Sequence, residues 1–204
     1  MNSVCSISAP KGRPREFDID GALGKALLVF WQHGYEAASM ADLTAAMGIT
    51  KPSLYAAFGN KEALFHKALD LYEREKLAYM STALEAPTAR AVAEKLLHGA
   101  LQMQMSTCDP KGCLGVISSV ACGAEAEPIK AEVVKRRASS EAALVARFEQ
   151  AKAAGELPDG MEAAALVKFL FTLMQGFALQ GGSGATCQEL QQLVATTMSI
   201  WPTK

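Results

Sequence analysis

Apolar side chains recur three and four positions apart along almost the whole chain, and no stretch alternates apolar with polar residues. The first pattern lays one stripe along a helix of 3.6 residues per turn; the alternation that a half-buried strand needs is missing. An all-α fold is therefore expected. At 204 residues, half hydrophobic and a fifth charged, the chain can bury a substantial core as one large domain or two small ones. Its 20 basic and 21 acidic residues leave a net charge of −1, so any nucleic-acid binding must come from a local patch.

Local signals cut this pattern into helices. Asp18 can cap a first helix that carries Leu23, Ala26, Leu27 and Phe30 on one face, and Gly34 ends it as a left-handed residue. Ser39 with Asp42 three residues later nearly matches a capping box, and opens a short helix with Leu43 and Met47 inward and Gly48 as its break. Thr50 caps a third helix, Pro52 sits in its first turn, and Leu54 and Phe58 point inward. Gly59-Asn60 stops that helix and caps a longer one, from Lys61 into the early eighties. Further helices are expected near 88–105, 113–122, 127–154, 161–180 and 186–201, with Pro/Gly turns before the second and fourth and a flexible loop at 181–184.

The termini and cysteines bound the setting. The first ten residues carry no apolar core flanked by basic residues, so they read as a tail, extended by Lys11, Arg13 and Arg15, rather than as a signal peptide. The most apolar run, 163–179, contains Lys168 and falls short of the roughly 20 residues a membrane span needs. It reads as a buried core helix. Five cysteines without a CxxC pair read as reduced thiols, and the chain as cytoplasmic with no membrane partner.

Two short helices joined by a glycine turn, with a third packed before them, make a helix-turn-helix. The second helix of such a pair enters the major groove of DNA; here it would present Thr50, Lys51, Ser53, Tyr55 and Ala56 outward. A lysine, hydroxyls and a phenol can meet phosphates and base edges, but the same spacing also builds packing units that never touch DNA.

The residues themselves carry a resemblance. The run from Phe30 through Trp31, Gly34 and Tyr35 to Met40, and the run from Ala41 through Gly48-Ile49-Thr50-Lys51-Pro52-Ser53-Leu54-Tyr55 to Phe65, closely resemble the first helices of the TetR family. The resemblance covers about the first third of the chain; the later helices resemble the family in number and length. It implies an N-terminal three-helix DNA-binding domain and a C-terminal helical domain for ligand sensing and dimerisation. The corresponding boundaries are a basic tail at 1–15, the DNA-binding domain at 16–76 and the sensing domain at 77–204. It further implies a homodimer on a palindromic double-stranded DNA operator, usually a repressor released by a small molecule. Carried over by position, Thr50, Lys51, Ser53 and Tyr55 are the DNA-contact candidates, Lys61 a phosphate contact, and Ser39 and Thr44 backbone contacts. The arm of Lys11, Arg13 and Arg15 is either a minor-groove or phosphate contact or a solvated tail.

In the second half, Met103, Met105, Met161, Met174, Phe169, Phe171 and Phe177 form stripes that suit an ordinary core or a pocket. Met103, Cys113, Phe171 and Gln175 are the ligand candidates, with Gln102 and Gln104 as further polar interruptions. Cys108 and Cys113 flank a Pro-Gly turn where Lys111 can favour a thiolate, which leaves a thiol sensor of oxidants or electrophiles open beside two buried small hydrophobes. Ala164, Val167, Phe171 and Met174 on one helix, and Leu190, Leu193, Val194 and Thr197 on the last, are the expected dimer faces. No cofactor or metal motif is present: the three histidines lie far from the cysteines. An enzyme finds only Gly181-Gly182-Ser183-Gly184-Ala185, which lacks the last glycine of a nucleophile elbow. A helical protein-interaction adaptor is the remaining alternative.

Overall fold

The computed structural model describes residues 17–120, 123 and 126–202, and among them the chain forms ten α-helices and no strand. The basic arm, Cys5 and Cys122 lie outside the described residues. The helices are α1 (Ile19–Ala37), α2 (Met40–Met47), α3 (Lys51–Phe58), α4 (Lys61–Lys76), α5 (Ala78–Leu84), α6 (Ala89–Met105), α7 (Leu114–Val120), α8 (Glu127–Ala153), α9 (Ala163–Gly182) and α10 (Cys187–Ser199).

Local chemistry sets most ends. Asp18 accepts from the Asp20 and Gly21 amides, Thr50 from Ser53, Asn60 from Ala63, and Thr186 with Glu189 closes a second capping box. Gly48 takes the left-handed conformation (φ 70°, ψ 30°) that ends α2.

Three expectations are corrected. Gly34 does have positive φ, but its ψ of 175° is extended, and helical residues resume after the kink as far as Ala37. The long helix from Lys61 does not reach the eighties: at Leu77 the amide bonds back to Tyr72 and a new turn starts, so α4 and α5 are separate. The loop expected at 181–184 begins later, because α9 continues through Gly182. Gly181 is buried, and a Cβ there would stand 2.6 Å from Gln104 Oε1, so this glycine serves close helix approach rather than flexibility.

Two apolar cores result. One gathers α1–α4 around Phe30, Trp31, Leu54, Phe65 and Tyr72, and reaches into Leu114 of α7 and Ile129 and Val133 of α8. The other packs α5, α6, α8, α9 and α10 around Leu96, Leu97, Phe148, Leu170 and Phe177. α4 belongs to the first and runs directly into the second. At twenty residues, α9 is long and apolar enough to cross a membrane by length and composition, longer than the run read from the sequence. One face of it is packed on α6 and α8.

Candidate nucleic-acid interface and sensor cavity

α3 is an eight-residue helix whose Leu54 and Phe58 are buried, each worth about 1.5–3 kcal/mol of apolar burial. That anchoring leaves Thr50, Lys51, Tyr55 and Ala56 exposed and Ser53 half-buried along the opposite side. Tyr55 is 45 % exposed, and the Lys51 ammonium lies 5.9 Å from its ring centroid. The hydroxyls of Thr50 and Ser53 are 2.9 Å apart and close the helix start. On α2, Ser39 Oγ donates to Asp42 Oδ2 at 2.6 Å while accepting from the Asp42 amide, and Thr44 Oγ1 donates to the Met40 carbonyl at 2.9 Å. The bond from the Ser39 hydroxyl, with that from its amide, holds the Asp42 carboxyl below its ordinary range.

Lys61 is half-buried at the start of α4. Its Nζ donates to the Glu36 carbonyl at 3.2 Å and sits 4.5 Å from the Tyr35 ring centroid. Burial lowers its pKa, against the pull of Glu36. One of three ammonium protons is thus spent on tying α4 to the end of α1, and two remain. The seven DNA-contact candidates accordingly fall into two classes: among the described residues the side chains of Lys51 and Tyr55 are unengaged apart from each other, while Ser39, Thr44, Thr50, Ser53 and Lys61 hold local structure.

Met103, Cys113, Phe171 and Gln175 all line one cavity of about 120 Å³ among α4, α5, α6, α8 and α9. Its walls also include Met174 and, not singled out by periodicity, Tyr72, Tyr79, Met80 and Arg136. The one local clue was Gly99 in mid-helix, where a Cβ would overlap the Tyr79 ring. Tyr72 donates its hydroxyl to Cys113 Sγ at 3.4 Å, and burial first, then Cys113, pushes its pKa well up. Gln102 is exposed, and the Gln104 amide is spent on both backbone groups of Gly112 (3.3 and 3.0 Å). Arg136 on α8 donates to Asp70 (2.6 Å) and Glu73 (3.0 Å) on α4, and to Glu132 (2.8 Å) on its own helix.

Two expectations for this half are overturned. Lys111 donates to the carbonyls of Gln104 and Ser106 (2.7 and 2.6 Å), which closes its own loop instead of serving a thiol. Cys108 is exposed beside Thr107 while Cys113 faces Tyr72 in the cavity, and both are free. The expected dimer faces also turn inward: Val167, Phe171, Met174, Leu190, Val194 and Thr197 are buried within the subunit. Ala164 and Leu193, in contrast, are exposed.

Comparison with known proteins agrees with this geometry over the whole chain. The family model for bacterial regulatory proteins of the tetR family matches residues 22–68, and that for the tetracyclin repressor-like C-terminal domain matches 89–196. The HTH-type transcriptional repressor ComR of Escherichia coli K12 is 34 % identical over 203 residues, 98 % of this chain and 97 % of its own length. BdcR, another such repressor of that strain, is 35 % identical over 106 residues, about half of each chain. A cysteine mutant of the TetR family regulator CifR, solved with 26-bp double-strand operator DNA, is 36 % identical with a TM-score of 0.87, covering 93 % of this chain and all of that one. The chain therefore belongs to the TetR family of bacterial regulatory proteins, and its function is transcriptional regulation rather than catalysis.

Proposed function

We propose that the protein is a repressor that grips a palindromic double-stranded operator as a homodimer through α3, and leaves it when a small molecule occupies the cavity beside α4. The observation that carries this reading is the pairing of Lys51 and Tyr55, exposed on a short helix whose other face is fixed by Leu54 and Phe58. A lysine and a phenol held this way meet phosphates and base edges at no cost to the fold. The similarity to CifR, solved with operator DNA, supports double-stranded DNA as the partner. Ser39, Thr44, Thr50, Ser53 and Lys61 are proposed as the surrounding contacts, and 16–76 as the DNA-binding unit of a cytoplasmic regulator. For the ligand, Met103, Cys113, Phe171 and Gln175 are proposed as cavity contacts.

The test is a gel shift on the neighbouring promoter with Lys51→Ala and Tyr55→Ala. Each is expected to abolish the shift while leaving the melting temperature unchanged, and wild-type binding by both would sink the assignment.

One observation favours a second mode of release. Cys113 is a free thiol lining the cavity, so an α,β-unsaturated carbonyl compound that enters can add there, the sulfur–carbon bond forming as the carbon–carbon π bond breaks and the thiol proton ending on the α-carbon. If Cys113→Ser still releases operator in response to an electrophile, this mode is excluded and the reversible one stands alone.

A further inference from the structure

Three polar side chains of the cavity, Tyr79, Gln175 and Arg137, are left without a hydrogen-bond partner among the described residues. Tyr72 uses its hydroxyl on Cys113, Gln104 its amide on Gly112, and Arg136 its guanidinium on three carboxylates. Tyr79 of α5 also lines the cavity, and its hydroxyl has no hydrogen-bond partner among the described residues. Its place is built. The ring lies over Gly99 of α6, where any Cβ would overlap it, so the helix face is cut away to admit the ring. Burial, and then the nearby Cys113, push its pKa well above the ordinary tyrosine value, so it stays a neutral O–H donor.

The surroundings fix the rest of the ligand's chemistry. Met80, Met103, Phe171 and Met174 give apolar walls. The charges beside them are three carboxylates (Asp70, Glu73, Glu132) and two guanidiniums (Arg136, Arg137), which gives an anion no advantage. A volume of about 120 Å³ is close to that of the ~150 Å³ engineered cavity that takes benzene, so one ring fills it. We infer that the cavity takes a small uncharged single-ring molecule bearing one hydrogen-bond-accepting oxygen, such as an aryl ketone or aldehyde, recognised by the Tyr79 hydroxyl. This rests on the cavity being the sensor site. A hydrocarbon that fills the cavity would strip the Tyr79 hydroxyl of water and leave it unpaired, whereas a ligand acceptor takes the water's place, so the site discriminates against a hydrocarbon of the same shape.

Titration calorimetry on the full chain with acetophenone, ethylbenzene and benzoate tests this directly. Acetophenone is expected to bind wild type about tenfold more tightly than ethylbenzene, the worth of one such hydrogen bond. Tyr79→Phe is expected to bring the two within about twofold of each other. Equal affinities in wild type, an unchanged preference in Tyr79→Phe, benzoate as the tightest of the three, or no binding by any of them would each overturn the assignment. Operator release separates the two readings. If both neutral compounds bind equally and release DNA, the sensor site stands and the role of Tyr79 falls. If acetophenone is preferred through Tyr79 but leaves operator binding untouched, the ligand class stands and the sensor role falls.

Discussion

A hydroxyl has a single proton, and on α2 those protons are already committed. Ser39 gives its proton to Asp42, and Thr44 gives its own to the Met40 carbonyl. To donate to a phosphate, either must abandon a bond that holds its helix, whereas Lys51 and Tyr55 can donate with no such exchange. Ser39→Ala and Thr50→Ala should therefore lower stability by about 1 kcal/mol each, in addition to any effect on DNA affinity. Thermal melts beside gel shifts separate the two losses. The capping box also has a pH signature. The Asp42 carboxyl titrates below its ordinary value when folded, so its stabilisation is complete above the ordinary carboxylate range and is lost as pH falls through the lowered value. The melting-temperature gap between wild type and Asp42→Asn should stay constant from neutral pH down to about pH 5, then close toward about pH 2. A gap that persists in acid would show that the cap acts without the charge.

At the scale of elements, α4 is the member that touches both halves. Its start is tied to the end of α1 through Lys61, and its later turns carry Tyr72 and Glu73 to the cavity wall and Asp70 to Arg136. Arg136 bridges α8 to this stretch while lining the same cavity. On the proposed mode of release, a ligand that displaced the guanidinium would free α4 from α8, and α3 in front of α4 would move with it. Arg136→Gln should therefore retain operator binding but weaken ligand-driven release at least about tenfold, a coupling loss of the usual size. Its melting temperature should fall modestly, because Asp70 is well solvated while Arg136 and Glu132 are mostly covered. Full release by ligand in that variant would refute the bridge. Most helix starts near α4 were legible in sequence because the signal is local: Ser39 with Asp42, Thr50 with Pro52, and Asn60 each need only residues three or four away. The break at Leu77 was not legible, since no glycine or proline marks it. It exists because α5 must turn to lay Tyr79 on Gly99, a contact between residues 20 apart in sequence.

For the whole molecule, the unanswered packing lies on α9 and α10. Ala165, Phe169, Thr172, Gly176 and Leu179 follow a 4-3-4-3 spacing on the side of α9 away from α6, and Leu193, Thr196 and Ile200 do the same on α10. Leu179 is 58 % and Ile200 69 % exposed. Apolar stripes of this extent suit a second copy of the chain. Sequence alone could not choose between the two faces of α9, because both are apolar; only the position of α6 decides which is inside. If the chain dimerises as proposed, Phe169→Glu with Leu193→Glu should give a monomer by light scattering and weaken operator binding, since a monomer can hold only one half-site. A dimer in that double variant would place the interface elsewhere.

Trp31 stands at the junction of these scales. Its ring meets Tyr72 edge-on at 4.8 Å, and its indole N–H reaches the Gly112 carbonyl held by Gln104. The other tryptophan, Trp201, is far away in sequence and packed against Phe148. The molecule thus contains its own optical probe: in a Trp201→Phe background, emission colour would report any rearrangement of the cavity wall without an attached dye. A ligand that repacks Tyr72 should shift that spectrum at the same concentrations at which it frees the operator.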